Sequence, residues 1–366
     1  MTANSPNDPR LRQLLADLVG FRTVSGERRE TARLLAYAKK IAQNHGLHAS
    51  EFTSRGFKTL ILKTQRTKRP KLTLCAHVDV VPGDDDQFRL TVKGDELFGR
   101  GVYDMKFAVA CFLRLLEELA GELANHDLAV VLTSDEEVGS EDGAKLLIEK
   151  GYDTEVCVLP DGGDNMHMER RAKGSCKFKF SATGVPGHAS RPWQAENAGQ
   201  KIVNAVYEIQ KLNTNRLDGT TVALTQLSVD SAANQIAGFA WATVDTRFME
   251  LDDYQALRHQ IERIADRHSC QLETMTLMKP VFVDLESVAV HRFMDCIRSV
   301  TGSPSLPPVL SAGASDARFF AEKGVPVIVM QPVGGNHHAQ NEWISEKSLN
   351  MYYNILKLYV RRMARQ

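Results

Sequence analysis

The chain has 366 residues, 43% of them hydrophobic and 25% charged, which suffices for a substantial buried core and suggests two domains. Lysine plus arginine and aspartate plus glutamate both number 45, so no net charge marks nucleic acid or an anionic membrane surface as a partner. The N-terminal MTANSPNDPRLRQ lacks the apolar stretch of a secretion signal, and no apolar run approaches the ~18 residues of a membrane span.

From Leu11 to about Pro160 helical and strand periods alternate, which predicts an α/β fold with a mostly parallel sheet flanked by helices. A helix is expected over Arg28 to His45, with strands at Lys58 to Lys63 and Lys71 to Val78. A long apolar-striped helix follows from Met105 to Leu119, then strands at Leu128 to Thr133 and Glu155 to Leu159. The basic stretch Lys63 to Lys71 reads as a solvated loop. Between about Ala172 and Val283 the pattern changes to strand, helix (Glu196 to Lys211), strands (Thr221 to Val229 and Phe239 to Phe248), helix (Asp253 to Arg267) and strand (Gln271 to Leu277). That β-α-β-β-α-β order is ferredoxin-like and reads as an inserted α+β domain. The expected boundaries are therefore 1–172 and 285–366 for a catalytic domain in two parts, and 173–284 for the insert. A helix near Val288 to Val300, a strand Val325 to Gln331 and a last helix complete the chain. The six cysteines, Cys75, Cys111, Cys157, Cys176, Cys270 and Cys296, show no C-x-x-C pair and read as reduced core residues of a cytoplasmic protein.

Ligands in such sheets bind beyond the carboxyl ends of the strands. There the sequence places His77, Asp104, Glu137, Asp161 and His338, with Glu136 beside one of them. Imidazole and carboxylate donors without cysteine suit a catalytic zinc site better than a structural one. If Asp104 bridges two ions, His77 and Asp161 complete one and Glu137 and His338 the other. Two divalent ions then balance three carboxylates and a hydroxide, and Glu136 is free to act as general base. Taken singly, each residue has a plainer reading: Asp104 as a helix N-cap, the Glu pair as a solvated turn, the histidine as a surface residue.

The segments LCAHVDVVP, FGRGVYDMK, LTSDEEVGS, GVPGHASRP and GASDARF occur in this order, and together they resemble the signatures of the M20 family of di-zinc peptidases and acyl-amino-acid hydrolases. That family includes acetylornithine deacetylase, succinyl-diaminopimelate desuccinylase, carboxypeptidases and carnosine-type dipeptidases. The likeness extends over nearly the whole chain. It implies a zinc-peptidase-like catalytic domain with an inserted lid, two Zn2+ ions with Co2+ or Mn2+ as substitutes, and a homodimer formed through the lid. It assigns His77, Asp104, Glu137, Asp161 and His338 as ligands, the last through H-x-x-N-E ending at Glu342, and sets His337 aside. Asp79 of H-x-D becomes the carboxylate that orients His77, and Glu136 the base. His188 resembles the family histidine that holds the oxyanion, often across a dimer interface. Asn234 and Arg247 resemble polar substrate contacts, with Arg247 gripping a carboxylate unless Asp245 claims it in an ion pair. Gly313 and Ser315 offer backbone and hydroxyl donors at a helix start.

Two departures from the family pattern stand out. Phe107 and Ala108 replace a Gly-Gly pair, a bulk expected to narrow the pocket. Asp161 stands where Glu accompanies deacylases and Asp accompanies aminopeptidases and dipeptidases, which favours cleavage of a dipeptide or short peptide. The alternative is an N-acyl-amino-acid deacylase of the acetylornithine deacetylase or desuccinylase type. A catalytically inactive binding relative is a third reading, and it requires a broken ligand set.

Overall fold

The computed structural model describes residues 7–364; Met1–Pro6, part of the stretch that argued against a secretion signal, lie outside the described residues. The chain divides into two compact units. One runs through Arg170 and resumes over Phe282–Val309 and from Ser315 onward; the other comprises Arg171–Val281 and Leu310–Ala314.

The first unit is built on a six-stranded mixed sheet in the order His48–Ser54, Phe57–Lys63, Leu128–Thr133, Leu72–His77, Cys157–Val158 and Val327–Ile328. The last four of these run parallel to one another, while the first two pair antiparallel at one edge. Leu72–His77 and Leu128–Thr133 are buried at every position. Their near-continuous apolar runs suit central strands covered on both faces. His48–Ser54 was absent from the sequence expectation for the opposite reason. It is an edge strand with no buried position, so its residues carry no apolar run to reveal it.

Helix Lys106–Glu118 buries ten of its side chains. Among them is Phe107, fully buried and set edge-on against Tyr352 at 5.7 Å and 83°. The expectation that Phe107 narrows a pocket is therefore corrected: the ring packs into the core against the C-terminal helix Glu346–Met363. That helix starts cleanly because Ser345 Oγ accepts the Ser348 N–H at 3.2 Å.

In the second unit an antiparallel sheet runs in the order Thr221–Val229, Phe239–Phe248, Gly174–Thr183, Gln271–Met278. With helices Ala198–Gln210 and Leu251–Arg267 between the strands, the chain order is β-α-β-β-α-β. Phe178, Phe180, Ile202, Val244, Phe248 and Ile261 pack into one core there. All six cysteines are buried and free, and no helix among the described residues is long and apolar enough to cross a membrane.

Candidate functional site

Parallel alignment of Leu128–Thr133, Leu72–His77 and Cys157–Val158 brings their carboxyl ends to one edge of the first unit. His77 closes its strand, Glu136 and Glu137 open a short turn past Thr133, and Asp161 follows Val158 by three residues. Asp104 lies just before helix Lys106–Glu118; it is not its N-cap, a position held by Met105. His338 sits in the loop after Val327–Ile328, with a φ of 65°, a backbone region that non-glycine residues seldom occupy outside constrained sites.

These residues converge into two donor groups that share one member. His77, Asp104 and Asp161 form the first; Asp104, Glu137 and His338 form the second, with the donor atoms of each group within 4.8 Å of one another. His77 Nε2 lies 3.0 Å from Asp104 Oδ1, while His338 Nε2 lies 3.2 Å from Asp104 Oδ2 and 3.1 Å from Glu137 Oε2. The ring of His337 lies tilted beside Tyr103 instead, at 6.2 Å.

The tautomer of His77 follows from its partners. Its Nδ1–H donates to the Asp79 carbonyl at 3.0 Å, which makes Nε2, within hydrogen-bond reach of Asp104, the nitrogen that would give its lone pair to a metal ion. The Asp79 carboxylate, expected to be the orienting group, stands farther off at 3.6 Å. It instead accepts the N–H groups of Glu136 (3.3 Å) and Glu137 (3.2 Å) and the Ser25 hydroxyl (3.0 Å). Asp79 thus ties the histidine strand to the glutamate turn.

Charge is crowded here. Burial, followed by the charge of Asp161, pushes Glu136 well above the ordinary carboxylate range. Burial and then Asp104 do the same to Asp161. Burial opposes ionisation of Asp104 as well, but hydrogen bonds from His338 and His77 hold it well below its usual value. His338 is pushed up to about 10, chiefly by its hydrogen bonds to Asp104 and Glu137. Oxygen and imidazole donors around a shared carboxylate, with negative charge in excess, fit a pair of divalent cations.

Several residues that the sequence reading passed over hold this edge together. Asp135 Oδ2 accepts the N–H groups of Asp142 (2.7 Å) and Gly143 (3.0 Å), closing the turn that carries the glutamate pair. Buried Arg318 donates to Ser315 O at 2.9 Å and Ser140 Oγ at 3.2 Å. Asp135 was visible within LTSDEEVGS, but nothing in a linear motif separates a carboxylate that folds a turn from one that binds a ligand.

The remaining expected contacts divide. Ser315 is 3% exposed, its hydroxyl has no hydrogen-bond partner, and the helix after it, Ala317–Glu322, has only six residues. Gly313 belongs to the second unit, not the first. The expected donors Gly313 and Ser315 thus fall in different units, just ahead of this six-residue helix. Within the second unit, the ribbon Gly187–His188 with Gln235–Ile236 sets His188 beside Asn234, whose carbonyl accepts the Ala189 N–H at 2.9 Å. The Ser190 N–H donates to His188 Nδ1 at 3.2 Å, so the neutral ring carries its proton on Nε2 as an exposed donor. Arg247 takes the competing partner: its Nε and Nη2 meet the two Asp245 carboxylate oxygens at 2.6 and 3.2 Å.

A mixed α/β unit whose strand ends gather two histidines and a ring of carboxylates into paired donor groups describes a metal-dependent hydrolase. The sequence profile for peptidase family M20/M25/M40 matches residues 73–362, and the chain belongs to that family. It is 31% identical over 298 residues to a succinyl-diaminopimelate desuccinylase of Gluconobacter oxydans, covering 75% of this chain and 76% of that protein. A desuccinylase of the same name from Bordetella petrii is 27% identical over 335 residues, covering 86% and 88%. Among solved structures, a Staphylococcus aureus tripeptidase superposes with a TM-score of 0.80 at 20% identity over 98% of both chains. Human carnosine dipeptidase 1 does so at 0.74 and 14% identity over 96% of both. The reading as an inactive binding relative needed a broken donor set, and this one is intact.

Proposed function

We propose that the protein hydrolyses the amide bond of a dipeptide or short peptide with two metal ions, His77, Asp104 and Asp161 holding one and Asp104, Glu137 and His338 the other. Zinc suits this donor set, and Co2+ or Mn2+ can replace it. Such ions, when bound, supply Lewis acidity that polarises the scissile carbonyl and eases deprotonation of water. Glu136 takes the proton from the attacking water and returns it to the leaving amine. Asp79 keeps the Glu136 backbone in place for that transfer. His188 donates its Nε2–H to the developing oxyanion, and Asn234, whose carbonyl accepts the Ala189 N–H in the same ribbon, supplies a second polar contact. The observation that carries this reading is the single carboxylate common to both donor groups, Asp104, with the unligated Glu136 next to Glu137 in sequence.

The peptide preference rests on Asp161, the shorter acid that resembles the aminopeptidase and dipeptidase branch. The second reading, removal of a succinyl or acetyl group from an amino acid, is favoured by the desuccinylase relatives. A panel on metal-loaded protein separates them: free-amine dipeptides should release amino acids while N-succinyl and N-acetyl amino acids stay intact. Faster turnover of any N-acyl amino acid hands the function to the second reading.

For Arg247 we propose a substrate-carboxylate contact through Nη1, because its other edge is occupied by Asp245. Amidating the substrate's C-terminus should then raise KM in the native enzyme and hardly change it in Arg247→Ala. We further propose a homodimer through the second unit, in a reducing, cytoplasmic setting. In its support, the edge strand Thr221–Val229 exposes Leu224, Leu227 and Val229, and helix Ala198–Gln210 exposes Val203 and Tyr207.

A further inference from the structure

Glu342 belongs to neither donor group, yet its carboxylate receives four hydrogen bonds from one short loop. Oε2 accepts from Arg100 Nη1 and from the Gly101 N–H, both at 2.9 Å. Oε1 accepts the N–H groups of Tyr103 at 2.9 Å and of Asp104 itself at 3.1 Å. The side chain is 1% exposed, and a carboxylate so buried persists only with this degree of pairing. Backbone contacts reinforce the join: the Gly99 N–H donates to the Glu342 carbonyl at 3.3 Å, and the Arg100 N–H to the Gln87 carbonyl at 2.7 Å.

The loop from Gly99 to Met105 has no regular structure of its own. It wraps an anion, three of its N–H groups pointing inward as in a backbone nest. Gly101 has a φ of +79°, and a Cβ added there would lie 2.7 Å from Val80 Cγ1, so the path has little room to vary. The anion is supplied by the segment that bears His338 four residues earlier. Gln87 grips that same segment, its Nε2 donating to the carbonyls of Ala339 (3.2 Å) and Gln340 (3.0 Å).

We propose that Glu342 is the positioning residue of the metal centre, fixing the loop of the shared Asp104 against the loop of His338 and thereby setting metal affinity without touching ions or substrate. This rests on Asp104 and His338 being ligands, as proposed above. Glu342→Gln keeps the volume but turns an NH2 toward backbone donors, so two of the four hydrogen bonds are lost.

The test is titration of Zn2+ into metal-free protein against a competing chelator, with the metal-free melting temperature measured alongside. Glu342→Gln should bind zinc about 10–100-fold more weakly, with activity recovered in excess zinc at an unchanged KM. Glu342→Asp, which keeps the charge on a shorter arm, should fall between. Native zinc affinity in Glu342→Gln, with only the melting temperature lowered, overturns the proposal. If Glu342→Gln does not fold, Arg100→Gln takes its place: it removes one donor of four and should weaken zinc binding by a smaller factor, and unchanged affinity there likewise overturns it. Asp104→Ala run in parallel separates the two levels of the argument. Native zinc binding in that variant would mean the ligand reading is wrong, whereas its loss beside a native-like Glu342→Gln would count against Glu342 alone.

Discussion

Glu136 and Glu137 are adjacent and alike in type, but their surroundings differ. Glu137 Oε2 lies 3.1 Å from His338 Nε2 and belongs to a donor group. Glu136 belongs to neither, and burial together with Asp161 pushes its pKa up, so it holds a proton more readily than an ordinary carboxylate. Glu136→Gln should therefore retain both ions and lose activity by at least ~10²-fold, the usual contribution of a general base. Metal analysis beside turnover checks this, and loss of metal would reverse the order of the pair. Asp104→Ala should empty both positions, because one carboxylate serves two groups. These two acids were legible within LTSDEEVGS and VYDMK as chemistry. The hydrogen bonds that the glutamate backbone donates to Asp79 were not, since they depend on side-chain direction across a tertiary contact. The ion pair of Arg247 with Asp245 stood open in the sequence as the alternative to a substrate contact, and the structure takes it.

At the scale of elements, helix Pro9–Gly20 starts on a charged cap. Asp8 accepts the N–H groups of Arg10 (2.9 Å) and Leu11 (3.2 Å) and Arg114 Nε (2.7 Å). Burial alone would raise its pKa, but the Arg114 hydrogen bond and the helix N–H groups bring it below the usual value. A depressed folded pKa stabilises above the unfolded pKa of about 3.9, and that stability is lost as pH falls through the folded value. Asp8→Asn, which still caps, should thus be less stable than the native chain in urea at pH 7. The gap should close as pH falls through the folded Asp8 value; a gap independent of pH would show that the carboxylate charge contributes nothing. Helix Lys106–Glu118 makes a different demand. With Phe107 fully buried against Tyr352, Phe107→Ala should cost about 3–5 kcal/mol and lower the melting temperature while leaving KM unchanged. A shift in KM without loss of stability would restore the pocket role first expected of it.

For the whole molecule, the proposed dimer gives the most direct test. If His188 acts across the interface, a mixture of inactive Glu136→Gln and inactive His188→Ala subunits should regain about a quarter of native activity. Half of randomly paired two-fold dimers are mixed, and each carries one intact site. A sedimenting monomer with full activity would remove that arrangement.

Apolar periodicity alone sufficed for the central strands and the alternation of the second unit. Strands such as Leu128–Thr133 and Phe239–Phe248 end where their patterns end, because burial of one or both faces writes itself into the local sequence. The donor residues stood out as types at strand ends, but it was the resemblance to the family's signature segments that assigned them as ligands. The edge strand His48–Ser54 left no such mark, being unburied. What the tertiary structure decided was proximity. Residues 77, 104, 137, 161 and 338 meet only because parallel strands carry their ends to one edge. The partners that hold them there, Glu342 under the Asp104 loop and Asp79 under the glutamate turn, form hydrogen bonds across 238 and 57 residues of chain. No local pattern encodes contacts of that span, because their geometry exists only once the sheet has fixed where each loop begins.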